Sequence, residues 1–118
     1  MSDCIFCKIV AGSIPSARVY EDAEFICIRD IQPHAKTHLL VIPKVHVASL
    51  AEVFPETGFS NSQMVGRMFE VGTKIARAQG LVERGFRAVI NTGKDGGQTV
   101  FHLHLHLLGG QSLSAAMA

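Results

Sequence analysis

The segment Phe101-His102-Leu103-His104-Leu105-His106-Leu107-Leu108 alternates histidine with apolar residues without a break. A period of two fits a β-strand, whose successive side chains point to opposite faces. Such a strand carries three imidazoles on one face and anchors itself in a core through Phe101, Leu103, Leu105 and Leu107 on the other. Successive imidazoles on it stand about 6.5–7 Å apart. That is too far for a direct hydrogen bond, and close enough to surround a phosphate and its neighbour. An unperturbed imidazole titrates at about 6.5, so at neutral pH one ring is expected neutral and nucleophilic while another is cationic and offsets phosphate charge. Core histidines usually occur singly, whereas four of the six here, counting His38, fall on predicted strands.

The rest of the chain supplies a framework for this strand. Residues 5–10 read as a short helix ended by Gly12 and Pro15. Residues 19–20 and 25–28 read as two strands of a hairpin about Glu21-Asp22, and residues 30–35 as a loop around Pro33. The β-prone run 38–42, stopped at Pro43, predicts a buried central strand. Over residues 60–79, Met64, Val65, Met68, Phe69, Val71, Gly72, Ile75 and Ala76 recur at steps of three and four, which predicts one long amphipathic helix closed by Gly80. Residues 86–90 and 100–108 are the remaining strands. Strands in hairpin order with one long helix between them argue for an antiparallel α+β sheet.

Size and charge narrow the function. A chain of 118 residues makes one domain, with residues 4–110 as its patterned core and the small-residue stretch 111–118 as a tail. Apolar residues make up 47% and charged residues 18%, enough to fold as a globule. A formal charge of +1 with no basic run argues against polymeric nucleic acid as partner. No apolar stretch approaches the roughly 20 residues that span a bilayer, and the N-terminal residues lack a secretory pattern, so a cytoplasmic protein is expected. An odd set of three cysteines, Cys4, Cys7 and Cys27, argues against a disulfide framework. Cys27, inside an apolar strand, reads as a buried thiol without chemistry.

Two further features bear on the histidine strand. The loop before it holds Gly93, Gly96 and Gly97, which let backbone N–H groups approach an anion closely; taken alone, such a loop is more often a plain turn. The three histidines also admit a metal-site reading, which lacks a nearby carboxylate and needs His38 or His46 to complete the shell.

The run His102-Leu103-His104-Leu105-His106-Leu107-Leu108 resembles the signature of the histidine triad (HIT) family. The likeness extends to Cys4-Ile5-Phe6-Cys7-Lys8-Ile9, Ile14-Pro15, Asp30-Ile31, His38 to Lys44 and Gly96-Gly97-Gln98-Thr99, about residues 4–110 in all. Gly97-Gln98 and Leu108-Gly109-Gly110 resemble the nucleotide-binding Hint branch more than the diadenosine polyphosphate hydrolases. The resemblance implies a homodimer, each subunit with a five-stranded antiparallel sheet, one long and one short helix, and a purine nucleoside monophosphate pocket for AMP or GMP. It implies that His104 attacks the α-phosphorus to form a nucleotidyl-histidine and that His106 holds phosphate oxygens. His38 and the hydroxyl of Thr99, where many relatives have Ser, would relay a proton to a leaving amine. Backbone amides at Gly97 and Thr99, with Asn91, would contact phosphate; Asp30 would take the ribose hydroxyls; Phe6, Ile9, Ile31 and Leu40 would wall the base. Cys4, Cys7, His46 and His102 match the zinc-binding subset of the family, as a closed structural site. The pattern departs at Gln111, where many Hint proteins have Arg.

Three functions follow from these readings. The first is a purine nucleoside phosphoramidase of the Hint type, cleaving P–N bonds. The second is a diadenosine polyphosphate hydrolase, whose leaving group needs no protonated nitrogen. The third is a non-catalytic nucleotide-binding adaptor, for which loss of His104 would be the sequence mark; His104 is present.

Overall fold

The computed structural model describes residues 3–115, so the final residues of the predicted tail, 116–118, lie outside the described residues. Its elements run α1 (Ile5–Ala11), β1 (Arg18–Glu21), β2 (Phe25–Arg29), β3 (Thr37–Pro43), α2 (Leu50–Val53), α3 (Ser62–Ala78), β4 (Arg87–Val89) and β5 (Leu105–Gly109). The strands form one five-stranded sheet in the order β1-β2-β3-β5-β4, antiparallel at every pairing. This is the expected α+β arrangement, with a one-turn helix, α2, added to the long and short helices foreseen.

Register explains which side chains meet. β3 pairs with β5 so that Leu40 lies opposite His106 and His38 opposite Leu108. Alternation along β3 then sends Leu39 and Val41 to one face and His38, Leu40 and Ile42 to the other. Leu39, Val41, Leu105 and Leu107 join Phe25, Cys27, Met64, Met68 and Ile75 in the core beneath α3. On the second face Ile26, Ile28, Leu40 and Ile42 pack against Phe6 and Ile9 of α1. Helix α3 begins where the Asn61 side chain accepts the Met64 N–H at 3.2 Å. It lies close to the sheet because Gly72 has no side chain: a Cβ there would come within 2.9 Å of Leu105 Cδ2. Phe69, assigned by its spacing to the buried stripe, is instead 39% exposed, on the flank of α3 beyond the sheet contact.

One expected element is shorter than predicted. The strand foreseen over residues 100–108 pairs only from Leu105 onward. Two hydrogen bonds divert the preceding residues from the ladder. The Leu103 N–H donates to the Val47 carbonyl at 2.8 Å, and the Pro43 carbonyl is taken by the His102 ring at 2.8 Å. Pro43 has no N–H with which to extend the pairing. The alternating pattern therefore spans a ladder half and a bent half, and His102 and His104 belong to the bent half.

Leu105 is fully buried between β3 and α3. Leu105→Ala is expected to lower unfolding free energy by about 2–5 kcal/mol in urea titrations; a loss under about 1 kcal/mol would contradict the packing described.

Candidate active site and metal centre

Burial and backbone partners set the state of each histidine in turn. A carbonyl oxygen only accepts hydrogen bonds, so a ring nitrogen facing one must carry the proton. His104 Nδ1 lies 2.7 Å from the His102 carbonyl. It therefore donates there, and Nε2 is left with its lone pair, the form a nucleophile needs. His104 is buried, and burial lowers its pKa, with the bond to His102 and the charge of Asp30 opposing the shift. The ring stays neutral at neutral pH.

His38 and His106 form a second unit. The His34 backbone N–H donates to His38 Nδ1 at 3.0 Å, which leaves the proton of neutral His38 on Nε2. That Nε2–H donates to His106 Nδ1 at 2.9 Å, with Asp30 Oδ2 also 3.4 Å from Nε2. His106, having its Nδ1 occupied as acceptor, carries its proton on Nε2 and is an N–H donor at that end. Burial, then the neighbouring His104 and His38, bring its pKa down to about 4. The expected cationic ring is thus absent from this cluster: in the site as it stands, burial also lowers His38, and anion stabilisation falls to directed N–H groups.

The triad does not gather round one ion, as the metal-site reading of three histidines required. His104 and His106 face each other, with ring centroids 4.9 Å apart. His102 turns away, and its neighbours are Cys4, Cys7 and His46. Its Nε2–H donates to the Pro43 carbonyl, so its Nδ1 lone pair faces Cys4 Sγ at 3.3 Å, Cys7 Sγ at 3.6 Å and His46 Nδ1 at 3.2 Å. Cys7 Sγ is 3.3 Å from His46 Nδ1. Around a tetrahedral zinc the S···N and N···N edges are roughly 3.6 and 3.3 Å, from bond lengths of about 2.3 and 2.05 Å. These four edges lie close to those of that shell, and S₂N₂ is the chemistry of structural zinc. Asp30, His38 and His106 also converge. There the His34 N–H holds His38 in the tautomer whose Nε2 bears a proton, which opposes a metal.

The predicted base wall is partly assembled. Phe6, Ile9 and Leu40 are buried in one apolar cluster, and Phe6 meets His104 edge-on at 5.0 Å. Ile31 stands apart, 94% exposed. Asp30 accepts the Gln32 N–H at 2.9 Å beside His38.

The glycine loop is a turn closed by its own hydrogen bonds. Its Gly97 N–H, expected to meet phosphate, donates to Lys94 O at 3.0 Å, and the Asn91 amide donates to Gly96 O at 2.8 Å. Gly96 is required because a Cβ there would lie 2.3 Å from the Thr92 carbonyl oxygen. Buried Gln98 ties the loop down, accepting from Gly93 N and donating to the Ala48 and Val100 carbonyls. Thr99 beside it is exposed, and its hydroxyl has no protein partner among the described residues. Sequence reasoning missed the backbone groups of His34, Pro43 and His102 that set the ring tautomers, because any residue type provides an N–H or C=O there. The anchoring role of Gln98 also went unforeseen. Cys27, as expected, takes no part: burial pushes its thiol up to about 12.

Comparison with known proteins agrees with this geometry. A family model described as scavenger mRNA decapping enzyme C-term binding matches residues 3–118. The purine nucleoside phosphoramidase of Escherichia coli strain K12 is 42% identical over 116 residues, 98% of this chain and 94% of that protein. A histidine triad protein from Clostridium difficile superposes with a TM-score of 0.91 at 43% identity, covering 99% of this chain and 98% of that one. A zinc-bound histidine triad family protein from Mycobacterium smegmatis superposes with a TM-score of 0.79 at 41% identity, over 96% of this chain and 81% of that one. Near-complete likeness in sequence and fold, together with the HxHxH run and its paired rings, places this chain in the histidine triad family.

Proposed function

We propose that the protein is a purine nucleoside phosphoramidase, hydrolysing nucleoside 5'-phosphoramidates through a nucleotidyl-histidine intermediate. The observation that carries this reading is the His104 Nδ1–H bond to the His102 carbonyl, which leaves Nε2 unprotonated in a buried setting. The full-length likeness to the phosphoramidase of E. coli supports the choice of leaving group.

In this mechanism His104 Nε2 attacks the α-phosphorus and the P–N bond breaks, its electron pair going to nitrogen. An amine leaves poorly without a proton, which the Thr99 hydroxyl delivers with His38 behind it as relay. His106 Nε2–H donates to a phosphate oxygen as charge shifts. Water then attacks the phosphorus, passing a proton back through Thr99 to His38, and the bond to Nε2 breaks with its electron pair returning to that nitrogen, so that the nucleoside monophosphate is released and both the histidine and the relay are restored. The loop at Asn91, Gly97 and Thr99 borders the phosphate, with Gly97 and Asn91 shaping the turn. Asp30 holds the ribose hydroxyls. Phe6, Ile9 and Leu40 wall the purine, AMP or GMP, while Ile31 closes over its open edge.

Cys4, Cys7, His46 and His102 hold a structural zinc, which fastens α1 to the segment before β5; the spacing of the donor atoms supports this. Unoxidised thiolate ligands suit a reducing, cytoplasmic location. The protein acts as a homodimer of single domains, for which the exposed Phe69 of α3 and the three-residue edge strand β4 offer a surface.

Wild type is expected to release a fluorogenic amine from an adenosine phosphoramidate, and His104→Ala to lose at least about 10³-fold in kcat/KM. Diadenosine triphosphate is run beside it. Cleavage of the dinucleotide alone moves the assignment to the polyphosphate hydrolases, and AMP binding without any turnover moves it to a binding module. The pH profile follows from the shifts: burial lowers His38, His104 and His106, so neutral rings persist below the usual imidazole range. The acid limb of kcat/KM is expected below pH about 6.5; a limb centred above that value would contradict a buried, neutral nucleophile.

A further inference from the structure

His102 faces two sites at once. Its ring Nδ1 looks into the Cys4/Cys7/His46 cluster, while its own backbone carbonyl accepts the His104 Nδ1–H at 2.7 Å. Residues 102–104 precede the first ladder residue of β5, so no strand pairing fixes that carbonyl. Its peptide is held instead by the Leu103 N–H on the Val47 carbonyl, one residue from His46 of the cluster, and through the ring by the Pro43 carbonyl on one nitrogen and the Cys/His cluster on the other. A second route runs through α1. Cys4 caps this seven-residue helix and Cys7 lies in its first turn, and between them Phe6 touches both the His102 ring at 5.9 Å and the His104 ring at 5.0 Å. A helix so short has little stability of its own and takes its position from its attachments.

We propose that His102 is a positioning residue that couples the metal centre to the nucleophile: zinc on its ring sets the carbonyl that holds His104 with Nε2 unprotonated, and zinc on Cys4 and Cys7 sets Phe6 against the base. This rests on the phosphoramidase and zinc readings above. When the metal leaves, the 102 carbonyl turns and His104 loses its obligatory acceptor. Both of its neutral tautomers then become available, and the wall at Phe6 loosens. Coupling of two sites is reciprocal in binding free energy, so a nucleotide that engages Phe6 and His104 must tighten zinc by the factor by which zinc tightens the nucleotide.

The test measures zinc affinity of the wild-type protein by competition with a chromophoric chelator, with and without saturating AMP. AMP is expected to lower the zinc Kd by about five-fold or more. Equal zinc affinity in both conditions overturns the coupling and leaves the phosphoramidase and zinc readings standing. Failure to bind zinc at micromolar concentration overturns the coupling together with the zinc reading, while amine release would keep the enzyme. Failure to bind AMP overturns it together with the nucleotide reading. A second readout separates positioning from simple stabilisation: ¹⁵N shifts of His104 are expected to report the Nδ1–H tautomer in the zinc-loaded protein and a mixture after stripping. Unchanged shifts in a folded, stripped protein overturn the proposal.

Discussion

A single hydrogen bond, from His104 Nδ1–H to the carbonyl of His102, determines what the rest of the site is able to do. A neutral imidazole has one proton and two nitrogens, and whichever nitrogen keeps the proton is lost as a nucleophile. By offering an acceptor that has no proton to give, the chain commits His104 Nε2 to an open lone pair. The same device recurs nearby in the opposite sense. The His34 N–H is a donor that occupies His38 Nδ1, so the proton of His38 faces His106, whose own proton then lies at the far nitrogen. Two backbone groups thus assign one ring as lone pair and another as donor.

That arrangement rests on the burial of His38 and His104. The face opposite α3 is closed by Phe6 and Ile9 of α1, and with the rings buried the cationic state is penalised before any neighbour acts on it. Neutral rings act through oriented dipoles, which cost no reorganisation as charge develops on a phosphoryl group. The Cys/His cluster serves the same end mechanically, since α1 and the bent segment ahead of β5 meet at Cys4, Cys7, His46 and His102. The cluster thus joins a seven-residue helix to a stretch outside the ladder.

Much of this was legible in the residues because period-two and period-3.6 patterns are strong where burial is one-sided. The β3 run, the α3 stripe apart from Phe69 and the alternation from Leu105 onward landed on the expected elements. The failures have physical causes. Residues 102–104 keep strand-like alternation yet leave the ladder, because the backbone carbonyls of Pro43 and Val47 take the hydrogen bonds of the His102 ring and the Leu103 N–H. Phe69 lay at a helical step on the edge of the stripe, where a three-or-four rule cannot separate flank from core. Helix α2 was announced by Ser49-x-x-Glu52, a capping-box spacing whose serine does accept the Ala51 N–H, and was overlooked because one turn has no periodicity to detect. The Cys/His ligand set came from family resemblance, since donors 98 residues apart become neighbours only through the fold.

Identification of the covalent intermediate bears most directly on the claim that His104 is the nucleophile. After rapid mixing with an adenosine phosphoramidate and quenching within the first turnover, peptide mass spectrometry should find an adenylyl group on His104. The adduct should be absent from His104→Ala. An adduct on His106 or another residue, or fast amine release by the wild type with no adduct at any time point, would contradict that assignment.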